Sequence, residues 1–523
     1  MEPEPDPAMP TSFYTLIENS FPEDGRRIAI ETPDRPQGVK HIRASWTFNE
    51  VKGAVARYAS RIAELGLKPG DRVAVQVEKS PEALFVYLAC LRGGFVFLPM
   101  NTAYRTDEVD YLVGNAEPSL MICEPARESE MREIALRHGA AQVLTLDADG
   151  RGTFSEEAAK VRDAKPIVDC ASHDLAAILY TSGTTGKPKG AMLSHGNLAA
   201  NGIALRDTWA FSENDVLLHA LPIFHAHGLF VACHTALLSG ARMIWMSKFD
   251  RTEILRQLPN ATVFMGVPTF YTRLLDGDGF DASLVGHMRL FTSGSAPLLA
   301  ETFEEFKART GLAILERYGM TETGMNTSNP YKGERRAGTV GFPLPGVEVR
   351  VMDDEGNERP RGQIGGLQVR GPNVFSGYWR MPEKTAEEFA EGDWFKTGDV
   401  ALIDADGYVH LVGRAKDLII SGGYNVYPKE IEGLIDDMPE VEESAVVGVA
   451  HRDFGEAGVA VVVLNKGAAL DEAALLARLK DSIANYKVPK RAFFVDSLPR
   501  NTMGKVQKNL LRDAYRDACA GDA

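Results

Sequence analysis

The stretch that decides the fold is Tyr180-Thr181-Ser182-Gly183-Thr184-Thr185-Gly186-Lys187-Pro188-Lys189-Gly190, which begins where the apolar segment Leu175–Tyr180 ends. The apolar segment is typical of a short buried strand, and the small residues after it predict a loop. Small side chains allow backbone N–H groups to approach a polyphosphate, while hydroxyl groups add donors and lysines neutralise charge. The stretch is not a Walker loop, because Pro188 follows Lys187 and the usual spacing between glycines is missing. We therefore predict a phosphate-binding loop, for which an ordinary flexible turn is the alternative.

Strand-like and helical patterns alternate on the N-terminal side of this loop. Arg72–Val77 is apolar at alternate residues, as in a strand, and is followed by apolar residues at helical spacing in Pro81–Arg92. The next run, Phe95–Leu98, is again strand-like. Such alternation predicts an α/β fold, in which helices cover largely parallel sheets.

The pattern changes after residue 340. Glycine and proline punctuate Phe342–Val351 and Gly366–Val369, which predicts a small barrel-like β region, and Asp404–Gly407 predicts a hairpin turn. We predict a large N-terminal domain of layered α/β sheets over residues 1–413, which includes the barrel-like region. Residues 414–523 are long enough for a small α+β domain, which we expect to act as a mobile lid.

The composition excludes several classes of protein. Of the 523 residues, 44% are hydrophobic and 25% are charged, which is typical of globular proteins and excludes disordered and fibrous chains. The formal net charge of −15 opposes binding to nucleic acid or to an anionic membrane. The five cysteines form no CxxC pair, which argues against a disulfide framework or a zinc site. Since Met1–Pro7 resembles no signal or transit peptide and no apolar run spans a bilayer, we expect a cytoplasmic protein.

Four more motifs follow the loop along the chain. They are Tyr318-Gly319-Met320-Thr321-Glu322, Thr397-Gly398-Asp399, Gly413-Arg414-Ala415-Lys416-Asp417 and Pro499-Arg500-Asn501-Thr502-Met503-Gly504-Lys505. Together with the loop, and in this order, they resemble the motifs of the AMP-forming acyl-CoA synthetases, a superfamily of acyl-adenylate-forming enzymes. The sequence is most similar to malonyl-CoA synthetases, through His219–His225, Met288–Leu298 and Met325–Pro330, although Phe224 stands where tyrosine is common there.

The resemblance implies a ligase that joins a carboxylic acid to coenzyme A (CoA) in two half-reactions. The carboxylate first attacks ATP to give an acyl-adenylate and pyrophosphate, and the CoA thiolate then displaces AMP to give the thioester. Mg²⁺ is the implied cofactor, because the negative charges of both reactants must be neutralised while their atoms are held in line. The implied acid is a small dicarboxylic acid, either malonate or methylmalonate.

Most of the implied site residues contact ATP. By resemblance, Glu322 and Thr184 hold Mg²⁺, while Tyr318 packs on the adenine. Asp399 is implied to accept hydrogen bonds from the ribose hydroxyls, and Arg414 to reach ribose or phosphate. The other implied nucleotide contacts are Thr181, Ser182, Gly183, Thr185, Gly186, Lys187, Lys189, Gly294, Ser295, Ala296, Gly319, Met320 and Thr321.

The implied catalytic residues are Lys505, Glu322 and His225. The Lys505 ammonium, which is charged at neutral pH, would bridge the substrate carboxylate and the α-phosphate. His225 would gate the acyl pocket, whereas His227 is either a pocket residue or a core histidine.

The resemblance also implies a movement of the small domain between the half-reactions. Lys416 falls at the hinge of the family, between the two domains. Gly422 and Gly423 would form the narrow wall along which the pantetheine arm of CoA reaches the adenylate. The residues that bind the nucleotide end of CoA cannot be predicted.

Arg289 and Ser293 are expected to bind the acid. Arg289 lies among apolar neighbours shortly before Gly294. We expect its planar guanidinium to bind the distal carboxylate of malonate through two hydrogen bonds. A structural ion pair with an acidic residue elsewhere is the alternative, because buried arginine needs a partner.

Several alternatives stay open in the sequence. The enzyme could be an AMP-forming CoA ligase for another short-chain, aromatic or amino acid, or a luciferase-like oxygenase of an acyl-adenylate. A catalytically inactive binding module conflicts with the presence of Glu322, Asp399 and Lys505. The sequence does not distinguish a monomer from a homodimer.

Overall fold

Strands and helices alternate through most of the computed structural model, which describes residues 12–33, 35, 44–139, 142–181, 188–421, 424–451, 454–501 and 504–519. The strands are β1 Ile28–Glu31, β2 Ser45–Thr47, β3 Arg72–Gln76, β4 Val96–Pro99, β5 Leu120–Cys123, β6 Gln142–Thr145, β7 Leu175–Thr181, β8 Lys189–Ser194, β9 Val216–His219, β10 Arg242–Trp245, β11 Val263–Gly266, β12 Leu290–Ser293, β13 Leu315–Met320, β14 Gly324–Ser328, β15 Phe342–Pro343, β16 Glu348–Met352, β17 Gly365–Arg370, β18 Phe389–Ala390, β19 Trp394–Ile403, β20 Val409–Arg414, β21 Ile419–Ser421, β22 Tyr424–Val426, β23 Val441–His451, β24 Gly455–Leu464 and β25 Arg491–Phe494.

The α-helices are α1 Phe13–Asn19, α2 Phe48–Glu64, α3 Pro81–Gly93, α4 Thr106–Ala116, α5 Glu128–Arg137, α6 Thr153–Ala158, α7 His195–Thr208, α8 His234–Leu237, α9 Arg251–Gln257, α10 Pro268–Leu275, α11 Ala282–Val285, α12 Ala300–Thr310, α13 Pro382–Glu388, α14 Pro428–Asp436, α15 Glu472–Ser482 and α16 Lys508–Tyr515. Shorter 3₁₀ turns cover Pro125–Arg127, Leu258–Asn260 and Ala415–Asp417. A π-helix, His227–Cys233, leads directly into α8.

Two large sheets form the N-terminal part of the molecule. One has the strand order β6-β5-β3-β4-β7-β8 and is parallel except for the antiparallel pair β7–β8. The other has the order β15-β14-β13-β12-β11-β9-β10-β1-β2, with its strands parallel from β13 to β1. Helix α3 is buried along its whole length, and its side chains belong to a core that includes residues of both sheets. Parallel sheets need such cover on both faces, and the predicted α/β fold is confirmed.

Two smaller sheets follow. In the barrel-like region β16-β17-β19-β18 are antiparallel neighbours, and the predicted hairpin joins β19 to β20. Nearer the C-terminus, β22-β21-β24-β23 and β25 form a sheet packed with α14 and α15, which is the expected α+β unit. The predicted division between residues 413 and 414 stays a prediction.

Some predicted features lie outside the described residues. These are Met1–Pro7, Ser182–Lys187 in the phosphate loop, and the glycine pair Gly422 and Gly423. Among the helices that the structure describes, none is long and apolar enough to cross a membrane. All five cysteines are buried and lie outside any disulfide.

The position of Arg289 contradicts its expected role in binding substrate. Arg289 precedes β12, so it lies at the opposite edge of the parallel sheet from Ser293, which ends that strand. Its guanidinium binds both carboxylate oxygens of Asp215, with an Nε–Oδ1 distance of 2.5 Å and an Nη2–Oδ2 distance of 2.8 Å. The remaining nitrogen, Nη1, donates to the Trp209 carbonyl at 2.8 Å. The expected contact with a distal carboxylate is therefore wrong, and the structural ion pair is the correct alternative.

The environment of this ion pair indicates that it stabilises the large domain. The rings of Phe211 and Tyr331 lie 4.9 and 5.2 Å from the Arg289 guanidinium carbon, and the Asp215 side chain is only 4% exposed. Burial alone would raise the pKa of Asp215, but hydrogen bonds from Arg289 and Ser212 hold it below its ordinary value. Removal of the guanidinium would leave a buried carboxylate without its cationic partner.

We expect Arg289→Met to lower the free energy of unfolding by about 3 kcal/mol at neutral pH, because one half of a buried ion pair is lost. Urea denaturation would measure the loss. The difference from wild type should shrink as the pH falls through the lowered pKa of Asp215, since protonation ends the ion pair. Arg256→Met, which breaks an exposed pair with Glu253 on α9, is the matched control and should change stability little. Equal stability of Arg289→Met and wild type would contradict the prediction.

Candidate active site

A buried carboxylate, Asp399, lies at the centre of the candidate site. Asp399 is on β19 and is 6% exposed. Tyr318 on β13 donates its hydroxyl hydrogen to Oδ2, and the Arg414 Nε lies 2.8 Å from Oδ1. Burial raises the pKa of Asp399 above its ordinary value, although Arg414 and the Tyr318 hydroxyl oppose this rise. Three residues from separate motifs thus meet at one place, and their roles toward ribose and adenine stay predictions.

A second buried carboxylate, Glu322, lies in the turn between β13 and β14. Its Oε1 accepts hydrogen bonds from the Tyr378 hydroxyl at 2.9 Å and from Thr181 Oγ1 at 3.5 Å. The turn itself is fixed by the backbone, since the Phe375 N–H donates to the Glu322 carbonyl oxygen at 2.8 Å. Burial and Glu322 raise the pKa of Tyr378 above its ordinary range, so the phenol stays protonated and donates.

The surroundings of the Glu322 carboxylate fit the binding of a Mg²⁺ ion that is carried by a polyphosphate. Glu322 is 6% exposed, and within the described residues its side-chain partners are hydroxyl groups and no lysine or arginine. The same residues contain no cluster of three or more histidine, cysteine or acidic side chains that could cage a metal. Mg²⁺ usually binds through one or two carboxylates and takes its other ligands from phosphates and water.

The two flanks of the phosphate loop converge on this carboxylate. Thr181 ends β7, Lys189 begins β8, and the two residues are paired across these antiparallel strands. The Lys189 ammonium lies 4.1 Å from the centre of the Tyr378 ring and 3.5 Å from Glu388 Oε1. The residues between them, which carry the other predicted loop contacts including Thr184, lie outside the described residues.

Lys505 faces the Asp399 side of the site. It interacts electrostatically with Asp399 and Arg414, and its pKa lies below the ordinary lysine value, because the surrounding protein desolvates the ammonium and Arg414 repels it. Part of its side chain nevertheless remains exposed to solvent. Gly504 has a φ of +74°, and an added Cβ would lie 3.1 Å from Thr269 Oγ1 on α10. The C-terminal unit is therefore closed against the large domain, with Lys505 beside the nucleotide carboxylate.

Lys416 and its neighbour Asp417 lie at the predicted junction between the two domains. Lys416 is exposed in the 3₁₀ turn Ala415–Asp417, and the neighbouring Asp417 forms an ion pair with Arg512 on α16. The position of Lys416 fits a hinge, which stays a prediction.

The predicted acyl side contains a buried cation that the sequence analysis missed. Arg317 precedes Tyr318 on β13 and is 3% exposed. Its Nε and Nη2 atoms have no hydrogen-bond partner among the described residues. An added Cβ on Gly294 would lie only 2.3 Å from Arg317 Nη1, so glycine is needed there for the guanidinium to fit. Burial lowers the pKa of Arg317 to about 10, which still leaves it charged at neutral pH.

Further polar groups belong to the same region, since His227 interacts electrostatically with Arg317 and Ser293 directly precedes Gly294 in the chain. His227 Nδ1 lies 3.1 Å from Ser295 Oγ, while His227 Nε2 and Ser293 Oγ have no partner within the described residues. Burial lowers the pKa of His225 to about 4 and also lowers that of His227, so both rings are neutral at physiological pH. The group can therefore offer hydrogen-bond donors and one fixed positive charge to an acid.

The remaining predicted contacts border these groups. Gly294, Ser295 and Ala296 follow β12 directly, and Gly319, Met320 and Thr321 lead from Tyr318 to Glu322. Arg317 could have been found in the sequence, because it directly precedes the Tyr318–Glu322 motif. Adjacent residues of a strand face opposite sides, so Arg317 is expected on the face opposite to Tyr318. Tyr378 carries no comparable local signal.

Comparisons with known proteins identify the family of the chain. The AMP-binding enzyme family matches residues 26–379, and the C-terminal domain of AMP-binding enzymes matches residues 430–505. A feruloyl-CoA synthase from an Amycolatopsis species is 36% identical over 91% of this chain and 95% of its own length. A malonate–CoA ligase from Arabidopsis thaliana is 34% identical over 86% of this chain and 79% of its own.

A solved structure extends the likeness to nearly every residue. The crystal structure of ATP-bound MatB from Rhodopseudomonas palustris is 53% identical, covers 98% of this chain and 100% of that chain, and has a TM-score of 0.94. The matched ranges contain Glu322, Tyr318 and Lys505. The chain therefore belongs to the AMP-binding enzyme family and is an AMP-forming acid–CoA ligase.

Proposed function

We propose that the enzyme is a malonate–CoA ligase, which converts malonate, ATP and CoA into malonyl-CoA, AMP and pyrophosphate. One carboxylate of malonate attacks the α-phosphorus and pyrophosphate leaves. The CoA thiolate then attacks the carbonyl carbon of malonyl-AMP, and AMP leaves with the electron pair of the broken bond. Methylmalonate is the nearest alternative, and another small acid is the wider one.

The observation that carries this proposal is the buried guanidinium of Arg317, whose Nε and Nη2 atoms have no hydrogen-bond partner among the described residues. Burial of a charge is strongly unfavourable unless an opposite charge compensates it. A dicarboxylate would supply that charge through its distal carboxylate, with Ser293, Ser295 and His227 as hydrogen-bond partners. A feruloyl or butyryl group would leave Arg317 unpaired, which favours malonate over the acid named in the feruloyl-CoA synthase.

The order of residues on β13 supports a particular orientation of the acid in the site. Arg317 and Tyr318 are adjacent, so they extend to opposite faces of the strand. Arg317 packs against Gly294, whereas Tyr318 bonds to Asp399. The distal carboxylate would lie on the first side, and the reacting carboxylate would point to the α-phosphate near Asp399. We propose that the Lys505 ammonium bridges these two reacting groups and that His225 borders the acyl group.

The nucleotide would occupy the rest of the site. Asp399 and Arg414 would bind ribose, Tyr318 would pack on adenine, and the loop from Thr181 to Lys189 would enclose the polyphosphate. Glu322, with Thr184, would hold Mg²⁺, and the ion when bound supplies positive charge to the phosphates. We further propose that residues 414–523 turn about Lys416 after adenylation, which brings Gly422 and Gly423 to the adenylate.

Arg317→Met should lower kcat/KM for malonate about ten- to a hundredfold, because a charged hydrogen-bonding partner is lost. Activity with butyrate should be retained or rise, and Arg317→Lys should recover part of the malonate activity. The assay is pyrophosphate release with malonate, methylmalonate, succinate, butyrate and ferulate, with and without CoA. Arg289→Met is the matched control and should keep the wild-type ratio of malonate to butyrate activity. An unchanged ratio in Arg317→Met, or a wild type that prefers ferulate or butyrate, would refute the malonate assignment.

Lys505→Ala should slow adenylation by about 10²–10³, by analogy with the loss of one transition-state donor. With preformed malonyl-AMP the variant should still form the thioester at nearly the wild-type rate, because Lys505 acts on the first half-reaction. Single-turnover measurements of both half-reactions give the comparison, and Lys480→Ala, exposed on α15, is the control. Equal losses in the two half-reactions would exclude separate poses of the small domain.

A further inference from the structure

Tyr378 is a buried aromatic residue that contacts both charged groups at the polyphosphate end of the site. It is 3% exposed and lies between β17 and α13. Its backbone segment is fixed to β8, since the Met192 N–H donates to the Gly377 carbonyl at 3.0 Å and the Trp379 N–H to the Gly190 carbonyl at 2.8 Å. The Tyr378 N–H also donates to Thr385 Oγ1 at 2.9 Å. The ring therefore has little freedom to move relative to the strand that begins with Lys189.

The edge and the face of this ring hold groups of opposite charge. The hydroxyl donates to Glu322 Oε1 at 2.9 Å, whereas the Lys189 ammonium lies over the ring at 4.1 Å from its centre. A phenol that donates a hydrogen bond to a carboxylate fixes the direction in which the remaining lone pairs of the carboxylate point. The face of an aromatic ring attracts an ammonium group. Among the ion pairs of the described residues, Lys189 is joined to Glu388 and not to Glu322.

This separation has a chemical consequence. If Lys189 and Glu322 formed a direct ion pair, the negative charge of Glu322 would be neutralised and would not be fully available to a metal ion carried by a polyphosphate. The phenol ring keeps them apart while it orients both. The Glu322 carbonyl is held independently by the Phe375 N–H, so the side-chain direction depends on Tyr378 and Thr181.

We propose that Tyr378 is a positioning residue that holds Glu322 and Lys189 apart and aims both at the polyphosphate of ATP. The proposal rests on the nucleotide site assigned above and adds a residue to it. It does not depend on which acid the enzyme activates. Residues that hydrogen-bond to a metal-binding carboxylate commonly change metal affinity ten- to a hundredfold when they are replaced.

The test is titration calorimetry of ATP binding without any acid substrate, once in EDTA and once with Mg²⁺. Tyr378→Phe keeps the ring under Lys189 and removes only the hydroxyl. We expect its ATP affinity in EDTA to equal that of wild type, while the gain in affinity on adding Mg²⁺ falls about tenfold or more. Lys189→Met should show the opposite pattern, with weaker ATP binding in EDTA. The KM for the acid should be unchanged in Tyr378→Phe.

Tyr408→Phe is the matched control. Tyr408 is also buried, donates its hydroxyl to the Glu334 carbonyl at 2.8 Å and lies 4.2 Å from the Arg336 guanidinium, but it contacts no residue of the proposed site. It should match wild type in both titrations. A wild-type Mg²⁺ gain in folded Tyr378→Phe would overturn the proposal, and so would equal losses of affinity with and without Mg²⁺. Failure of the malonate assignment would appear in the acid panel and leave these titrations unaffected.

Discussion

The Asp399 carboxylate and its two partners connect all parts of the molecule. Asp399 belongs to the barrel-like region, Tyr318 to the large parallel sheet, and Arg414 to the end of β20, where we predict that the C-terminal unit begins. A carboxylate that is 6% exposed is stable only with a cation or several donors beside it. The contacts that satisfy Asp399 therefore also fix the relative positions of the nucleotide groups and of the junction that carries Lys505.

Each end of the candidate site contains a charged side chain that forms no ion pair with the described residues. Arg317 has no acidic partner at the acyl end, and Glu322 has hydroxyl partners only at the polyphosphate end, within the described residues. Arg289 is the contrasting case, since Asp215 fully occupies its guanidinium fork. Ligands that bring the missing charges also stabilise the folded state by mass action. We therefore expect substrate binding at the proposed site to raise the stability of the folded state.

Local patterns in the sequence were sufficient for most of the fold. The helix that begins at Pro81 and the strand before the predicted phosphate loop follow from apolar spacing and, for the helix, from a proline in its first turn. The motif Tyr318–Glu322 could also be recognised locally, because its residues are close together in the chain. The confirmed α/β fold is the arrangement that these local strand and helix predictions imply when they are combined along the chain.

Arg289 and Arg317 show which features local sequence patterns cannot predict. Asp215 precedes Arg289 by 74 residues, and no local pattern reveals that the two meet. Whether an arginine lies at the reactive or the opposite edge of a parallel sheet depends on strand order, which becomes known only with the fold. Arg317 differs, because its place directly before the Tyr318–Glu322 motif marks it in the sequence. Its missing partner is visible only when every neighbouring side chain has been placed.

The surroundings of Glu322 also bear on how the chain folds. Its hydroxyl partners, Thr181 and Tyr378, are separated from it by 141 and 56 residues. Contacts between such distant positions close large loops and form slowly compared with local helices and turns. Tyr378 comes after both large sheets in the chain. While residue 378 is still inside the ribosome, the two sheets of the large domain can already form, but the predicted polyphosphate end of the site is incomplete. Completion of the site is therefore a late event in biosynthesis, and a chain shortened before this residue would keep much of the sheet structure without an oriented Glu322.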